Sequence, residues 1–215
     1  MCDGSAGHGR SGHNTWMVRD QGGASGARPD SEPLDRLNRF EARLLRRLTP
    51  DRRPSEVVSV ASTSARGSRL WLLIAAGLAL RPGVCRRAAL HAVTAIAMAA
   101  AGSHLVGKAF VRRRRPYAEH LPALPAQKPP HQLNTSSSFP SAHAASAAAF
   151  ATAVALESAP LGAAVTPLAL LVAYSRLRTL AHWPTDVVAG LLLGVLAAAT
   201  ARAGLKRLPI STHHD

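Results

Sequence analysis

AALHAVTAIAMAAAGSHLV, residues 88–106, contains no Asp, Glu, Lys or Arg, and its most polar side chains are His91 and His104. At about 1.5 Å of rise per residue an uncharged helix of this length nearly covers a hydrocarbon core of ~30 Å. The stretch is therefore predicted to cross a membrane. Before it, LWLLIAAGLAL at 70–80 is apolar between Arg69 and Arg81, but it reaches only about 16 Å. It spans only if the small, polar stretch 57–68 contributes.

After it, 108–139 is polar and Pro-rich and reads as a connection. Residues 141–156 read as an Ala-dominated helix, 161–174 as another after a break at 157–160, and 187–200 as the last. Gly190 and Gly194 stand four apart on that last helix, a spacing that lets helices approach closely. The expected fold is an all-α integral-membrane bundle of four to five spans, with no internal repeat.

Composition supports a bundle of close-packed helices. Of 215 residues 47% are hydrophobic but only 4% aromatic, so Ala, Leu and Val carry the apolar content. The formal charge is +14, and most of the Lys and Arg fall in the first 69 positions, in the run 112–115 and near the C-terminus. Nearly uncharged stretches separate these clusters, an alternation that argues against nucleic acid and for an anionic membrane or a phosphorylated substrate as partner. Cys2 and Cys85 form no metal-binding or disulfide pattern.

The first thirty residues lack a signal-peptide core and are expected to be disordered. From 33 to 48, Leu34, Leu37, Phe40, Leu44, Leu45 and Leu48 recur at helical steps among Arg and Glu. This amphipathic helix either lies on a membrane surface or packs on the rest of the protein. The organisation expected is a tail over 1–32, the amphipathic helix and a linker over 33–69, a membrane domain over 70–204 and a C-terminal tail over 205–215.

The residues that carry chemistry fall in two connections separated by two helices, which places both on one side of the bundle. The first holds Lys108, Arg115-Pro116 and Pro140-Ser141-Ala142-His143; the second holds Ser175-Arg176, His182 and Asp186. Lys108, Arg115 and Arg176 supply positive charge for a phosphoryl group, the arginines as planar forks. Ser141 offers a hydroxyl, and Ala142 and His143 offer main-chain N–H groups at a helix start, where an anion is favoured. A neutral His182 can attack phosphorus if its other ring nitrogen is held, and Asp186, four residues on, can reach back to it. His143 can protonate the leaving group and later deprotonate water.

In order and spacing, Lys108-x6-Arg115-Pro116, Pro140-Ser141-Ala142-His143 and Ser175-Arg176-x5-His182-x3-Asp186 resemble the three signatures of the type 2 phosphatidic acid phosphatase superfamily, over roughly 88–200. The resemblance implies phosphate binding by Lys108, Arg115, Ser141 and Arg176, acid/base catalysis by His143, a nucleophilic His182 and an orienting Asp186, with no metal and no cofactor. Ala142 stands where the family most often has Gly, and six-helix relatives carry one more clear span before the first motif.

The expected activity is hydrolysis of a phosphomonoester or diphosphate on a membrane lipid, such as phosphatidate, phosphatidylglycerophosphate or a polyprenyl phosphate. A bacterial plasma membrane is the expected location. The partners expected are the lipid phosphate and the bilayer, with a second copy of the chain left open. Two rivals stand beside this reading. Vanadium haloperoxidases and soluble acid phosphatases share the constellation, though not its uncharged helices; a non-enzymatic basic scaffold on anionic membranes would need none of its histidines. Which lipid is used, and which side of the membrane the site faces, stay open.

Overall fold

The structure, a computed structural model, describes residues 32–48, 56, 68–109, 113–116 and 137–207. Among these the chain forms six helices and no strand: α1 (Glu32–Leu48), α2 (Arg69–Ala79), α3 (Val84–Ala109), α4 (Ala142–Glu157), α5 (Ala159–Arg178) and α6 (Pro184–Arg207). Of the expected tails, residue 32 is the first of α1 and residues 205–207 are the last of α6; the rest of both tails, and the linker apart from residues 56, 68 and 69, lie outside the described residues.

Three helices, α3, α5 and α6, are long and apolar enough to cross a membrane. The 11-residue α2 and the 16-residue α4 are shorter apolar members of the same bundle. Helix α4 is its centre, packed against α3, α5 and α6. That position follows from composition, because Ala144, Ala145, Ala147, Ala149 and Ala153 are all fully buried and small side chains let neighbouring backbones close in from every side. The few large groups fill what remains: Trp71 of α2 meets Phe150 of α4 with ring centroids 5.0 Å apart in a tilted arrangement, within the range where aromatic pairs attract beyond their area.

The Gly190 and Gly194 face behaves as its spacing predicted. A Cβ added at Gly190 would lie 2.4 Å from the Ser141 carbonyl oxygen, and one at Gly194 would lie 2.3 Å from that of Ala145. Helix α6 therefore touches α4 backbone to backbone, and the contact begins at Ser141, where α4 starts.

Helix termini are where the structure departs from the sequence reading. Helix α3 runs on to Ala109, so Lys108 belongs to its last turn rather than to the connection after it. The start of α6 at Pro184, by contrast, is the one expected of a proline at a first helical position with Asp186 in the first turn, three residues ahead of the apolar run 187–200. The proline suits a first helical position, where no N–H is needed. Helix α1 has the strongest amphipathic pattern of the six and docks on the bundle through one side, where Asn38, Glu41 and Leu45 are buried.

Candidate active site

Four helix ends meet on one side of the bundle: the C-terminal ends of α3 and α5 and the N-terminal ends of α4 and α6. Residues 113–115 and 137–139, which belong to no regular element, are linked where the Ser138 N–H donates to the Arg113 carbonyl at 2.9 Å.

Ser141 is the N-cap of α4, its hydroxyl accepting from the Ala144 N–H at 3.5 Å. Its own N–H donates to the Asp186 carbonyl at 3.0 Å, which ties the start of α4 to the start of α6. Ser141 is thereby buried, Ala142 is exposed and His143 is half-buried in the first turn. A helix N-terminus carries unsatisfied N–H groups and partial positive charge, a setting that suits an anion.

His182 is buried in the short connection between α5 and α6. The chain reaches it through a tight turn in which Leu180 adopts a left-handed φ of 51°, a conformation that a branched side chain tolerates only when its surroundings impose it. Trp183, fully buried next to His182, is pinned by its indole N–H donating to the Arg114 carbonyl at 2.8 Å.

The two ring nitrogens of His182 have different partners. Nδ1 lies 2.7 Å from the Ser138 carbonyl oxygen, which can only accept, so Nδ1 carries the proton. Nε2 lies 3.3 Å from Nη1 of Arg115, which can only donate, so Nε2 presents its lone pair. Burial is the main reason that the imidazole is held far from protonation, at a pKa of about 3. The charges of Arg115, Arg176 and His143 lower it further, while the Ser138 carbonyl acts in the opposite direction. His182 is a neutral base with one nitrogen exposed to a cationic cluster.

Asp186 departs from the expectation that it orients His182 directly. Its nearer oxygen is 3.9 Å from Nδ1, beyond hydrogen-bond range, and the Ser138 carbonyl takes the orienting position. The carboxylate instead accepts from the Trp183 N–H at 2.9 Å, as an acidic residue in a first helical turn does when it reaches back to the cap. Its other oxygen accepts from Nη1 of Arg113 at 2.8 Å. It thus shapes the turn that carries His182 while meeting a positive charge on its far side.

Arg115 and Arg176 both lie beside His182: Nη1 of Arg115 also donates to the Ala181 carbonyl at 2.8 Å, and Nε of the buried Arg176 donates to the Ser175 hydroxyl at 3.3 Å. The structure therefore brings Arg115, Ser141, His143, Arg176, His182 and Asp186 to one place. Lys108 is on the helix that ends there; its side chain lies outside the described residues. His91 faces the bundle interior at the other end, with Nε2 2.9 Å from the Ala198 carbonyl and Nδ1 3.2 Å from Glu157. His104 is exposed on α3. Among the described residues no group of three or more His, Cys, Asp or Glu side chains could hold a metal ion.

Two features of the site went unnoticed in the sequence. The first is the Ser138 carbonyl. The second is Arg113, two residues before Arg115, which is buried and reaches four acceptors: the Asn38 amide oxygen at 2.6 Å from Nη2, the Thr185 hydroxyl at 2.6 Å and Asp186 at 2.8 Å from Nη1, and the Glu41 carboxylate. Its guanidinium also lies 5.1 Å from the ring centroid of Trp183, within cation–π range. Glu41 further accepts the Thr185 N–H at 2.7 Å at the start of α6. The one available signal was on α1, where Asn38 and Glu41 share a side with Leu45 at helical steps of three and four, polar groups on a face that otherwise calls for apolar ones.

Comparisons with known proteins bear on the family and the fold. No curated protein sequence matches the chain. A solved structure described as the crystal structure of the first transmembrane PAP2 type phosphatidylglycerolphosphate phosphatase from Bacillus subtilis is similar in fold, with a TM-score of 0.59 at 19% identity, covering 82% of this chain and 90% of that one. The model of the PAP2 superfamily matches residues 88–208, which include every candidate site residue from Lys108 to Asp186, and the chain belongs to that superfamily.

Proposed function

We propose that this protein hydrolyses a phosphomonoester or diphosphate on a membrane lipid, through a covalent phosphohistidine on His182. The observation that carries the reading is the split environment of that imidazole, with Nδ1 against the Ser138 carbonyl and Nε2 facing Arg115. An imidazole so held can attack without first losing a proton and keeps its acceptor as positive charge develops.

In the first step the Nε2 lone pair forms a bond to phosphorus while the bond to the lipid oxygen breaks. A protonated His143, in the first turn of α4, donates its proton to the departing alkoxide. Arg115, Arg176 and Lys108 take the phosphoryl oxygens, with Ser141 and the N–H groups of Ala142 and His143, and stabilise charge in the transition state. In the second step the now neutral His143 removes a proton from water, the water oxygen bonds to phosphorus, the N–P bond breaks, and free phosphate leaves.

A lipid substrate is supported by the placement of the site at the ends of helices long and apolar enough to cross a membrane. A headgroup can enter it while the acyl or prenyl chains stay in the bilayer. A bacterial plasma membrane and a phosphatidylglycerophosphate substrate both fit, the latter by analogy with the similar Bacillus structure, which shares the fold. The test is phosphate release by the purified, detergent-extracted protein from phosphatidate, phosphatidylglycerophosphate and polyprenyl phosphates. Rapid quenching with a 32P-labelled substrate should trap an acid-labile, base-stable adduct, lost in His182→Gln. Absence of both phosphate release and adduct across the panel would defeat the reading.

A further inference from the structure

Helix α1 has three sides, and they differ in character. Asn38, Glu41 and Leu45 form the docked side, buried against the site. At about 100° per residue a second side is made by Leu37, Phe40 and Leu48, all exposed, with the half-buried Leu44; Phe40 is 58% exposed. The third side carries Arg36, Arg39, Arg43 and Arg46, all exposed.

Two contacts fix where this helix lies. The Leu48 carbonyl accepts from the Tyr174 hydroxyl at 3.3 Å, about one turn from the end of α5, and Glu41 accepts from Thr185 in the first turn of α6. Both α5 and α6 are long and apolar enough to cross a membrane. Helix α1 therefore lies across two span ends, at the depth of lipid headgroups, where tyrosine is also favoured.

An apolar stripe beside a row of arginines at that depth fits an anionic bilayer surface, the stripe entering the acyl boundary and the guanidinium groups meeting headgroup phosphates. A nucleic acid would match the arginines but leave the stripe in water. We propose that α1 seats on an anionic bilayer surface and that this seating holds Glu41 on Arg113 and Thr185, so that anionic lipid raises turnover at His182.

The route is short. Glu41 pairs with Arg113, Arg113 with Asp186, and Asp186 accepts the N–H of Trp183, the neighbour of His182. If α1 lifts, the buried guanidinium loses the acceptors of both Asn38 and Glu41, and the Thr185 N–H loses its own. A buried charge left short of partners will be met by rearrangement of the turn that holds the nucleophile. Glu41 is thus a positioning residue. The turnover part of the proposal rests on the hydrolytic reading; the seating part does not.

The experiment uses the full chain in nanodiscs of phosphatidylcholine alone and of phosphatidylcholine with phosphatidylserine. Hydrogen exchange over 34–48 reads the seating, and saturating turnover of short-chain phosphatidate reads the coupling. Exchange should slow with phosphatidylserine, and about fivefold of membrane affinity should be lost for each neutralised arginine in the series Arg36→Gln, Arg39→Gln, Arg43→Gln and Arg46→Gln. Turnover of the wild type should rise between about 5-fold and 150-fold, and the rise should vanish in the combined arginine variant. Glu41→Gln should keep the slowed exchange and lose the rise. Equal exchange of the wild type in both discs overturns the proposal without any variant. Slowed exchange with unchanged turnover overturns the coupling, and a wild type inert toward all lipid phosphates overturns the hydrolytic reading with it, leaving seating to be decided by exchange alone.

Discussion

Nδ1 of His182 donates to the main-chain carbonyl of Ser138 at 2.7 Å, while the carboxylate of Asp186 stands 3.9 Å away. The acceptor that fixes the imidazole is therefore one that no side-chain substitution removes. Where a carboxylate alone orients a catalytic histidine, its amide variant selects the wrong tautomer and activity falls by roughly 10⁴-fold. Here Asp186→Asn should keep the Nδ1–H tautomer, and kcat should fall by only about 10- to 100-fold through loss of the Arg113 pair and weakening of the turn at Trp183. His182→Gln should abolish phosphate release. Steady-state kinetics of the two variants, with 15N NMR of the histidine side chains, checks both halves of this expectation.

The low pKa of His182, about 3, against an unperturbed value near 6.5, has a consequence for stability. Above pH ~6.5 the ring is neutral in both folded and unfolded chains, and it contributes no pH dependence. Between ~6.5 and 3 the unfolded chain binds a proton that the folded chain refuses, so stability falls as pH falls. Thermal unfolding in detergent from pH 7 to pH 4 should show this decline, and His182→Gln should flatten it. A decline of the same steepness in the variant would assign it to other groups.

Much of the bundle is legible in one dimension because its signals are local. Uncharged runs mark α3 and α6, and the pair Gly190 and Gly194 marks the face on which α4 lies. The site is legible to the extent that it is built from side chains in short motifs. Ser138 could not be found this way, because it acts through a carbonyl that every residue possesses. Arg113 was hidden in a run of four arginines, and what separates it from its neighbours is Glu41, 72 residues away. The helical setting of Lys108 was missed for a simpler reason: polar residues at a helix end look like the loop that follows.

Within that run Arg113 and Arg114 should respond differently to substitution. Arg113 is buried among four acceptors, and removing it leaves Glu41 and Asp186 buried without their shared cation. Arg113→Gln should cost about 3–5 kcal/mol of stability and lower kcat. Arg113→Lys should recover little, since a single ammonium cannot match a planar fork that reaches Asn38, Glu41, Thr185 and Asp186 together. Arg114 is exposed, and in its contacts to Ser138 and Trp183 it is the main-chain carbonyl oxygen that accepts, so Arg114→Ala should stay within about 0.5 kcal/mol. Melting temperatures of the purified variants, read beside their turnover, give the comparison.

The glycines of α6 should separate packing from catalysis. A methyl group at Gly194 would meet the backbone of α4 at Ala145 and Ala149, well inside the site-bearing end. Gly194→Ala should therefore destabilise by about 1–3 kcal/mol through overpacking. At Gly190 the obstructing atom is the Ser141 carbonyl oxygen, so relief of the clash must move the N-cap of the helix that presents His143. Gly190→Ala should lose turnover out of proportion to its loss of stability. Gly77 on α2 has open space around it, and Gly77→Ala should leave turnover unchanged and stabilise by about 0.5–1 kcal/mol, as expected where a helix-interior glycine is relieved of its excess entropy. Unfolding temperature plotted against kcat for the three variants tests this: if Gly190 and Gly194 fall on one line, the packing of α6 and the placement of Ser141 are not separable as argued.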